Sequence, residues 1–135
     1  MTRAAWLLVL LGALLVAAGC DPLRAATVAA NAAARTLVTT QTAMAGEYRA
    51  AQIAAAKRVQ GDRSDPTVRA EVQDRAQMVR SAWETAWGTY HAAYSAWAIL
   101  VAAIHAAERG ETPVDFAALA ADLASRMGEL AEVHP

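Results

Sequence analysis

Six ring-bearing side chains lie close together in the middle of the chain, where their types and spacing could do chemistry. They fall in the segment WETAWGTYHAAYSAW, residues 83–97, and their flat faces could stack on a planar ligand or on one another. Five of the rings are separated by four, three, four and three residues, which places them on one stripe of a helix. The six residues are Trp83, Trp87, Tyr90, His91, Tyr94 and Trp97.

The surroundings of this stripe favour packing over ligand binding. Valines continue it upstream, and Val101 and Ile104 continue it downstream. A ligand site should interrupt the apolar face of a helix, whereas these rings extend one. We therefore predict that the rings are large core fillers facing small residues of another helix. Contact with a ligand or a partner protein is the alternative interpretation.

No other group of residues indicates catalysis or metal binding. His91 and His105 are fourteen residues apart, or about 21 Å along a helix, so they cannot share a metal ion within one chain. The sequence has no HExxH or CxxC motif and no glycine-rich phosphate loop. Its serines have no histidine and acid at suggestive spacing. We expect a protein that is not an enzyme and that binds neither a metal nor a cofactor.

The first twenty residues, MTRAAWLLVLLGALLVAAGC, have the layout of a secretory signal. Arg3 gives a positive start, residues 4–18 are uncharged and mostly apolar, and small residues precede Cys20, the one cysteine of the chain. The apolar stretch is shorter than the roughly 20 residues that a membrane-spanning helix needs. We therefore expect a signal peptide over residues 1–19 and a single helical domain over residues 20–135.

The residues VAAGC at the end of this signal resemble the lipobox of bacterial lipoproteins. In that family, lipid is attached to the cysteine sulfur and signal peptidase II cuts just before it. Gly19 and Ala18 match the motif, while Ala17 stands where leucine is usual. The resemblance implies that Cys20 carries covalent lipid, including palmitate, and that several acyl chains hold the protein at a membrane. An ordinary signal peptide or an uncleaved anchor is the alternative.

The same resemblance implies a location and a role. It implies a bacterial cell-envelope protein on the periplasmic or extracytoplasmic face of a membrane, with a structural or protein-interaction role. Its partner would be an envelope protein or a second copy of the chain. Asp21 resembles the residue that retains enterobacterial lipoproteins in the inner membrane, but which membrane holds this chain stays open. The alanine-rich heptads resemble the major murein lipoprotein, although this chain ends in AEVHP and not in the lysine of that family.

Two alternative functions stand beside this one. The body resembles short Ala- and Arg-rich lipoproteins of prophage regions, which implies an envelope lipoprotein of a phage or mobile element. Such a protein would assist lysis or act in surface exclusion. The other alternative is a carrier that holds a small ligand on the Trp/Tyr stripe. No motif in the sequence decides among the three.

The body of the chain predicts an all-α fold, an antiparallel bundle of two long helices and a shorter C-terminal third. Asp65 and Pro66 are typical of the start of a helix, Gly110 is typical of a position just past the end of one, and Thr112 with Pro113 again indicates a start. The predicted helices span residues 22–60, 66–109 and 113–132.

Apolar residues at near-heptad spacing predict which side of the first and third helices is buried. Alanine fills many of these positions in the first helix, so the helices should approach closely. The first helix presents Leu23, Ala26, Ala30, Ala33, Leu37, Met44, Tyr48, Ala51, Ala55 and Val59 on one face. The third helix presents Phe116, Leu119, Leu123, Met127 and Leu130.

The second helix is uncharged from Thr85 to Ala107, a stretch that is apolar nearly all round. Such a helix is usually buried on several sides. We predict burial between the first and third helices or against another subunit, with a second membrane span as the alternative.

The charges are unevenly distributed, although the net charge of −1 gives no case for nucleic-acid binding. The first helix is basic and residues 111–135 are acidic, so we predict that the third helix docks beside the first. Four cations of the first helix lie roughly opposite its alanine face and either contact an anionic surface of lipid or wall polymer or form a solvated face. They are Arg24, Arg35, Arg49 and Lys57.

Overall fold

The structure is a computed structural model that describes residues 21–111 and 114–134 of the chain. Three helices follow one another without a strand in this part of the chain: α1 spans Pro22–Lys57, α2 spans Pro66–Glu108 and α3 spans Phe116–Val133. The prediction of an all-α fold with two long helices and a shorter C-terminal third is confirmed.

The first two helices begin at aspartates that satisfy free backbone N–H groups. The carboxylate of Asp21 accepts hydrogen bonds from the backbone N–H groups of Leu23 and Arg24, at 3.1 and 3.2 Å. Asp65 accepts one from the N–H of Thr67 at 2.7 Å. In both helices a proline at the first helical position has no N–H to leave unpaired.

The end of α2 is closed by glycine, as predicted. Gly110 has a φ of +73°, in the left-handed region that residues with a Cβ rarely adopt. This turn lets the N–H of Gly110 donate to the carbonyl of Ala107, and the N–H of Glu111 to that of Ala106, both at 3.0 Å. The pair of bonds is a Schellman motif, which satisfies carbonyls left free by the last turn.

The boundaries of α1 and α3 differ from the predicted ones. α1 ends at Lys57, three residues early, and the Arg63 guanidinium turns back to donate to the carbonyl of Ala56 at 2.8 Å. α3 begins at Phe116 and not at residue 113. Asp115, predicted to lie inside the helix, is its N-cap and accepts from the N–H of Ala118 at 3.0 Å. The predicted cap Thr112 and first residue Pro113 lie outside the described residues.

The three helices form a bundle in which α2 runs antiparallel to both of its neighbours. One core cluster joins the start of α1 to the end of α2, and a second joins the middle of α1 to the middle of α2. α3 contributes Leu123 to the first cluster and Leu130 to the second. The predicted apolar faces of α1 and α3 are confirmed, since all of their residues are buried or half-buried.

Alanine supplies half of the buried core residues in the described part of the chain. A side chain with one methyl group keeps neighbouring backbones near each other, so the core is thin and depends on close fit. Few large side chains are fully enclosed in the described residues, namely Met44, Leu100 and Leu123. The buried alanines are Ala25, Ala26, Ala29, Ala30, Ala33, Ala93, Ala96 and Ala120.

α3 ends near Glu47 of α1. Past that level, the last part of α1 and the first part of α2 continue as a two-helix arm. His134, just past α3, reaches Glu47 of α1 with an Nε2–Oε2 distance of 3.1 Å and lies beside the ring of Trp83. His134 thus joins the C-terminal end of α3 to both long helices. Beyond it, among the described helices, residues 48–57 of α1 have only the first part of α2 beside them, and no residue of α2 before Tyr90 is buried.

The uncharged stretch of α2 is buried between two helices on one side and is exposed on the other. Ala96 and Leu100 are buried between α1 and α3, while Ile99, on the far side of the helix, is 55% exposed. Burial between the first and third helices is therefore confirmed. Among the described residues, no helix combines the length and the apolar character needed to cross a bilayer.

The predicted electrostatic docking of α3 beside α1 is only partly right. α3 contacts both long helices, but it packs more extensively on α2. Its single arginine, Arg126, pairs within α3, with Asp122 at 3.7 Å and Glu129 at 3.4 Å. In the described part of the chain, Glu47–His134 is the one charged contact between α1 and the end of α3. Apolar burial on both neighbours, and not charge, therefore positions α3.

Candidate functional site

The aromatic stripe of α2 lies at the edge of the core, which corrects the prediction that its rings fill the centre. Tyr90 is buried with 5% of its surface exposed, but Tyr94 is 47% exposed. Trp83, Trp87 and Trp97 are half-buried. His91, predicted to accompany them, is exposed. The rings therefore combine packing with an accessible surface.

The reason for this displacement is the small size of the residues at the helix contacts. Ala96 of α2 packs in one cluster with alanines of α1, and Ala93 packs in the other with Leu37 and Met44. Because interiors are closely packed, these contacts leave little room for an indole between the helices. The rings lie instead on the flank of α2 and span the edges of the contact. Trp97 shows how they attach, because its Nε1–H donates to the backbone carbonyl of Ala30 in α1 at 3.0 Å.

Trp97→Phe should lower the free energy of unfolding by about 1 kcal/mol. Phenylalanine keeps a ring at the flank but deletes the N–H that joins α2 to Ala30. The measurement is urea unfolding followed by circular dichroism. Trp87→Phe is the matched control, because the Trp87 indole makes no protein hydrogen bond in the described residues. An equal loss of stability in the two variants would show that the Trp97–Ala30 bond contributes nothing.

Neighbouring rings of the stripe touch one another in sequence. Tyr94 lies 5.4 Å from Trp97 and 6.4 Å from Tyr90, and Tyr90 lies 6.0 Å from Trp87, measured between ring centroids. Burial raises the pKa of the Tyr90 hydroxyl, and the adjacent Tyr94 hydroxyl adds to the effect. The neutral phenol is thus the form that the fold favours, which excludes Tyr90 as a readily ionised base near neutral pH.

A shallow groove of about 500 Å³ runs beside this stripe, on the outward side of α2. Tyr48 of α1 and Trp87 contribute rings to it, and Gly88 leaves space because nothing lies within 4 Å of the position where a Cβ would stand. The groove is partly open to solvent. Its lining residues are Tyr48, Gln77, Arg80, Ser81, Glu84, Trp87, Gly88 and His91.

The groove brings together a serine, an acid and a histidine, but not in a catalytic arrangement. Ser81 and His91 are ten residues apart on one helix, or about 15 Å along its axis, which is far beyond hydrogen-bond reach. A flat ring held by Trp87 or Tyr48 fits this surface better than a reacting group. Sequence reasoning missed Tyr48 as a lining residue. The sequence feature that could have indicated the groove was Gly88, the one glycine of α2, which lies one turn after Glu84 and leaves open space on the helix surface.

The basic residues of α1 form a separate surface. All four predicted cations are exposed, and none of them forms an ion pair with a described acidic residue. They lie on the side of α1 that faces away from α2 and α3. The four are Arg24, Arg35, Arg49 and Lys57.

Two further predictions concern lipid and metal. Cys20, the predicted site of lipidation, lies outside the described residues, which begin at the next position. Within those residues, no three His, Cys, Asp or Glu side chains are grouped so that they could hold a metal ion. The expectations of no metal, no cofactor and no enzymatic activity stay predictions.

Comparisons with protein-family models, curated proteins and solved structures find no match for this chain.

Proposed function

We propose that this chain is a small helical lipoprotein of the bacterial cell envelope, held at a membrane by lipid on Cys20. Its bundle has a structural or protein-interaction role. The observation that carries the proposal is the position of the cysteine at the border between two unlike parts of the chain. An apolar segment with a single arginine precedes it, and an amphipathic helix with its own N-cap, Asp21, follows it at once.

The packing of the body supports a tether at this position. In the described residues, the two core clusters are formed by side chains between Leu23 and Leu130. A helix capped at Asp21 leaves almost no linker between lipid and fold. The lipid would therefore hold one end of the bundle, formed by the start of α1 and the end of α2, close to the membrane.

Cys20→Ser should abolish incorporation of labelled palmitate and move the protein from the membrane fraction to the soluble fraction. The thioether needs the cysteine sulfur, and a chain without acyl groups loses the apolar area that anchors it. Thr27→Ser is the matched control, because it introduces a serine into α1 and leaves Cys20 intact. Palmitate labelling that persists in Cys20→Ser would refute the lipoprotein proposal. Membrane retention without the label would indicate an uncleaved N-terminal anchor.

A second candidate function is the carriage of a small apolar or aromatic ligand. The observation that favours it is the exposed side of the stripe, where Tyr94 is 47% exposed and Trp87 borders the groove. Stacking on such rings needs only a flat partner. Tryptophan fluorescence decides this point: a saturable shift on addition of an aromatic compound or a lipid, lost in Trp87→Leu, supports carriage. An unchanged spectrum leaves the rings with their packing role alone.

A further inference from the structure

The outer face of α1 combines three properties that a merely solvated surface does not need. It carries four cations, it exposes branched aliphatic side chains between them, and it has no acidic residue. At 100° per residue, these side chains fall in a sector of about 100° centred opposite the buried alanines. We define this sector as the basic–aliphatic face. Its members are Arg24, Val28, Arg35, Val38, Arg49, Ile53 and Lys57.

Within residues 21–111 and 114–134, no acidic side chain forms an ion pair with a cation of this face. Glu47, the single acid of α1, lies on another side of the helix, where it contacts His134. Two acids of α3 form ion pairs with Arg126 of the same helix. In α2, Glu71 pairs with Arg75. The positive charge of the basic–aliphatic face is therefore free for an external anion.

The aliphatic side chains decide what kind of anion fits. Val28 is 42% exposed, Val38 64% and Ile53 49%, so each leaves a large apolar area in water. A soluble polyanion would neutralise the cations but would bury none of this area. The interface of an anionic bilayer does both, because headgroups take the cations and the acyl boundary takes the aliphatic groups.

We propose that the basic–aliphatic face of α1 lies along the surface of an anionic membrane. This inference rests on the membrane tether proposed above, since an anchor one residue before Asp21 raises the local concentration of the face at the bilayer. From Arg24 to Lys57 the face extends for about 50 Å. The bundle then lies flat on the membrane and turns α3 and the groove of α2 toward the aqueous side.

The contact can be measured on the full chain, purified with its anchor and reconstituted into vesicles. Thr42→Cys places an environment-sensitive fluorophore on the exposed outer side of α1, and Ser125→Cys places it on the exposed side of α3. In vesicles of phosphatidylcholine with phosphatidylglycerol, the probe at position 42 should brighten and shift to the blue, while the probe at position 125 should not change. In phosphatidylcholine alone, both should report water. Protein without an introduced cysteine is the blank for labelling at Cys20.

Charge variants test the cause of the contact. Replacing Arg35, Arg49 and Lys57 with glutamine should lower the ratio of contacting to free orientations on the order of a hundredfold, because each cation near an anionic surface contributes about a fivefold factor. The matched control removes the same charge from α2 by replacing Arg69, Arg75 and Arg80, and it should retain the contact. Molar salt, which shortens the Debye length to about 3 Å, should weaken the contact of the unchanged chain.

Other results would overturn the proposal. A probe at position 42 that reports water in anionic vesicles excludes the contact. A signal of equal size when soluble polyphosphate is added to neutral vesicles would make the face a general polyanion site. A signal that depends on protein density and not on phosphatidylglycerol would make it an interface between copies. The mass of the acyl group on Cys20 is measured separately. A failure of the tether is thereby distinguished from a failure of the face.

Discussion

Leu100→Ala lowers the free energy of unfolding by about 2–5 kcal/mol, the largest loss that we expect from a single truncation in this bundle. Leu100 is 0% exposed and packs between α1 and α3 among Ala30, Ala96 and Leu123. Removing its isopropyl group leaves a cavity that the surrounding alanines have no side-chain length to refill. The cost therefore includes both lost apolar burial and the void itself.

The neighbouring residue provides the control for this result. Ile99 has the same number of carbon atoms but is 55% exposed, so Ile99→Ala should change stability by only about 0.5 kcal/mol. Urea unfolding of the two variants, followed by circular dichroism in one buffer, makes the comparison. Equal losses would mean that α2 is rotated relative to the arrangement described here, or that residue 99 is covered by a second copy.

Ala93→Leu should destabilise the bundle by about 1–3 kcal/mol for the opposite reason. Ala93 is 0% exposed, at the level of Met44 in α1 and Leu130 in α3. Its methyl group sets the distance between helices there, and three additional carbon atoms can fit only if a neighbouring helix moves. The midpoint of urea unfolding should fall, and the near-ultraviolet circular dichroism of the adjacent rings should change.

Ala102→Leu is the control for overpacking, because the same substitution is made on the exposed side of the same helix. Leucine has nearly the helix propensity of alanine, so this variant should retain the stability of the unchanged chain. If Ala93→Leu were equally harmless, the alanines would not be setting the helix spacing. Helix spacing would then not be the reason why the rings lie on the flank of α2.

The basic–aliphatic face and the aromatic stripe lie on different parts of the molecule, which has a consequence for function. If α1 rests on a membrane, the Trp/Tyr stripe and the groove of α2 stay accessible to a partner from the aqueous side. The two-helix arm is accessible too, since α3, the third described helix, ends before it reaches residues 48–57. Met78, on the exposed side of this arm, is 70% exposed. A structural lipoprotein could thus bind lipid with one helix and a partner with another.

Much of the architecture was predictable because it depends on local chemistry. Asp65 with Pro66 and Gly110 mark helix ends through groups that pair with the nearest backbone atoms, so their effect is readable within a few residues. The apolar residues of α1 and of α3 each form a single stripe. A single stripe fixes which side of its helix faces the core. The start of α3 was misplaced because two candidate caps lie three residues apart, and Asp115 forms the bond to Ala118.

What the amino-acid sequence determined by itself was the helical class, the number and approximate length of the helices, and the buried side of two of them. What only the tertiary structure decided was the rotation of α2. This helix carries two adjacent apolar stripes, one of large rings and one of small residues with Leu100, and periodicity alone does not rank them. The choice belongs to α1 and α3, because the alanines of α1 and Leu123 of α3 form one packed cluster with Ala96 and Leu100 of α2. The small residues therefore take the centre and the rings take the edge.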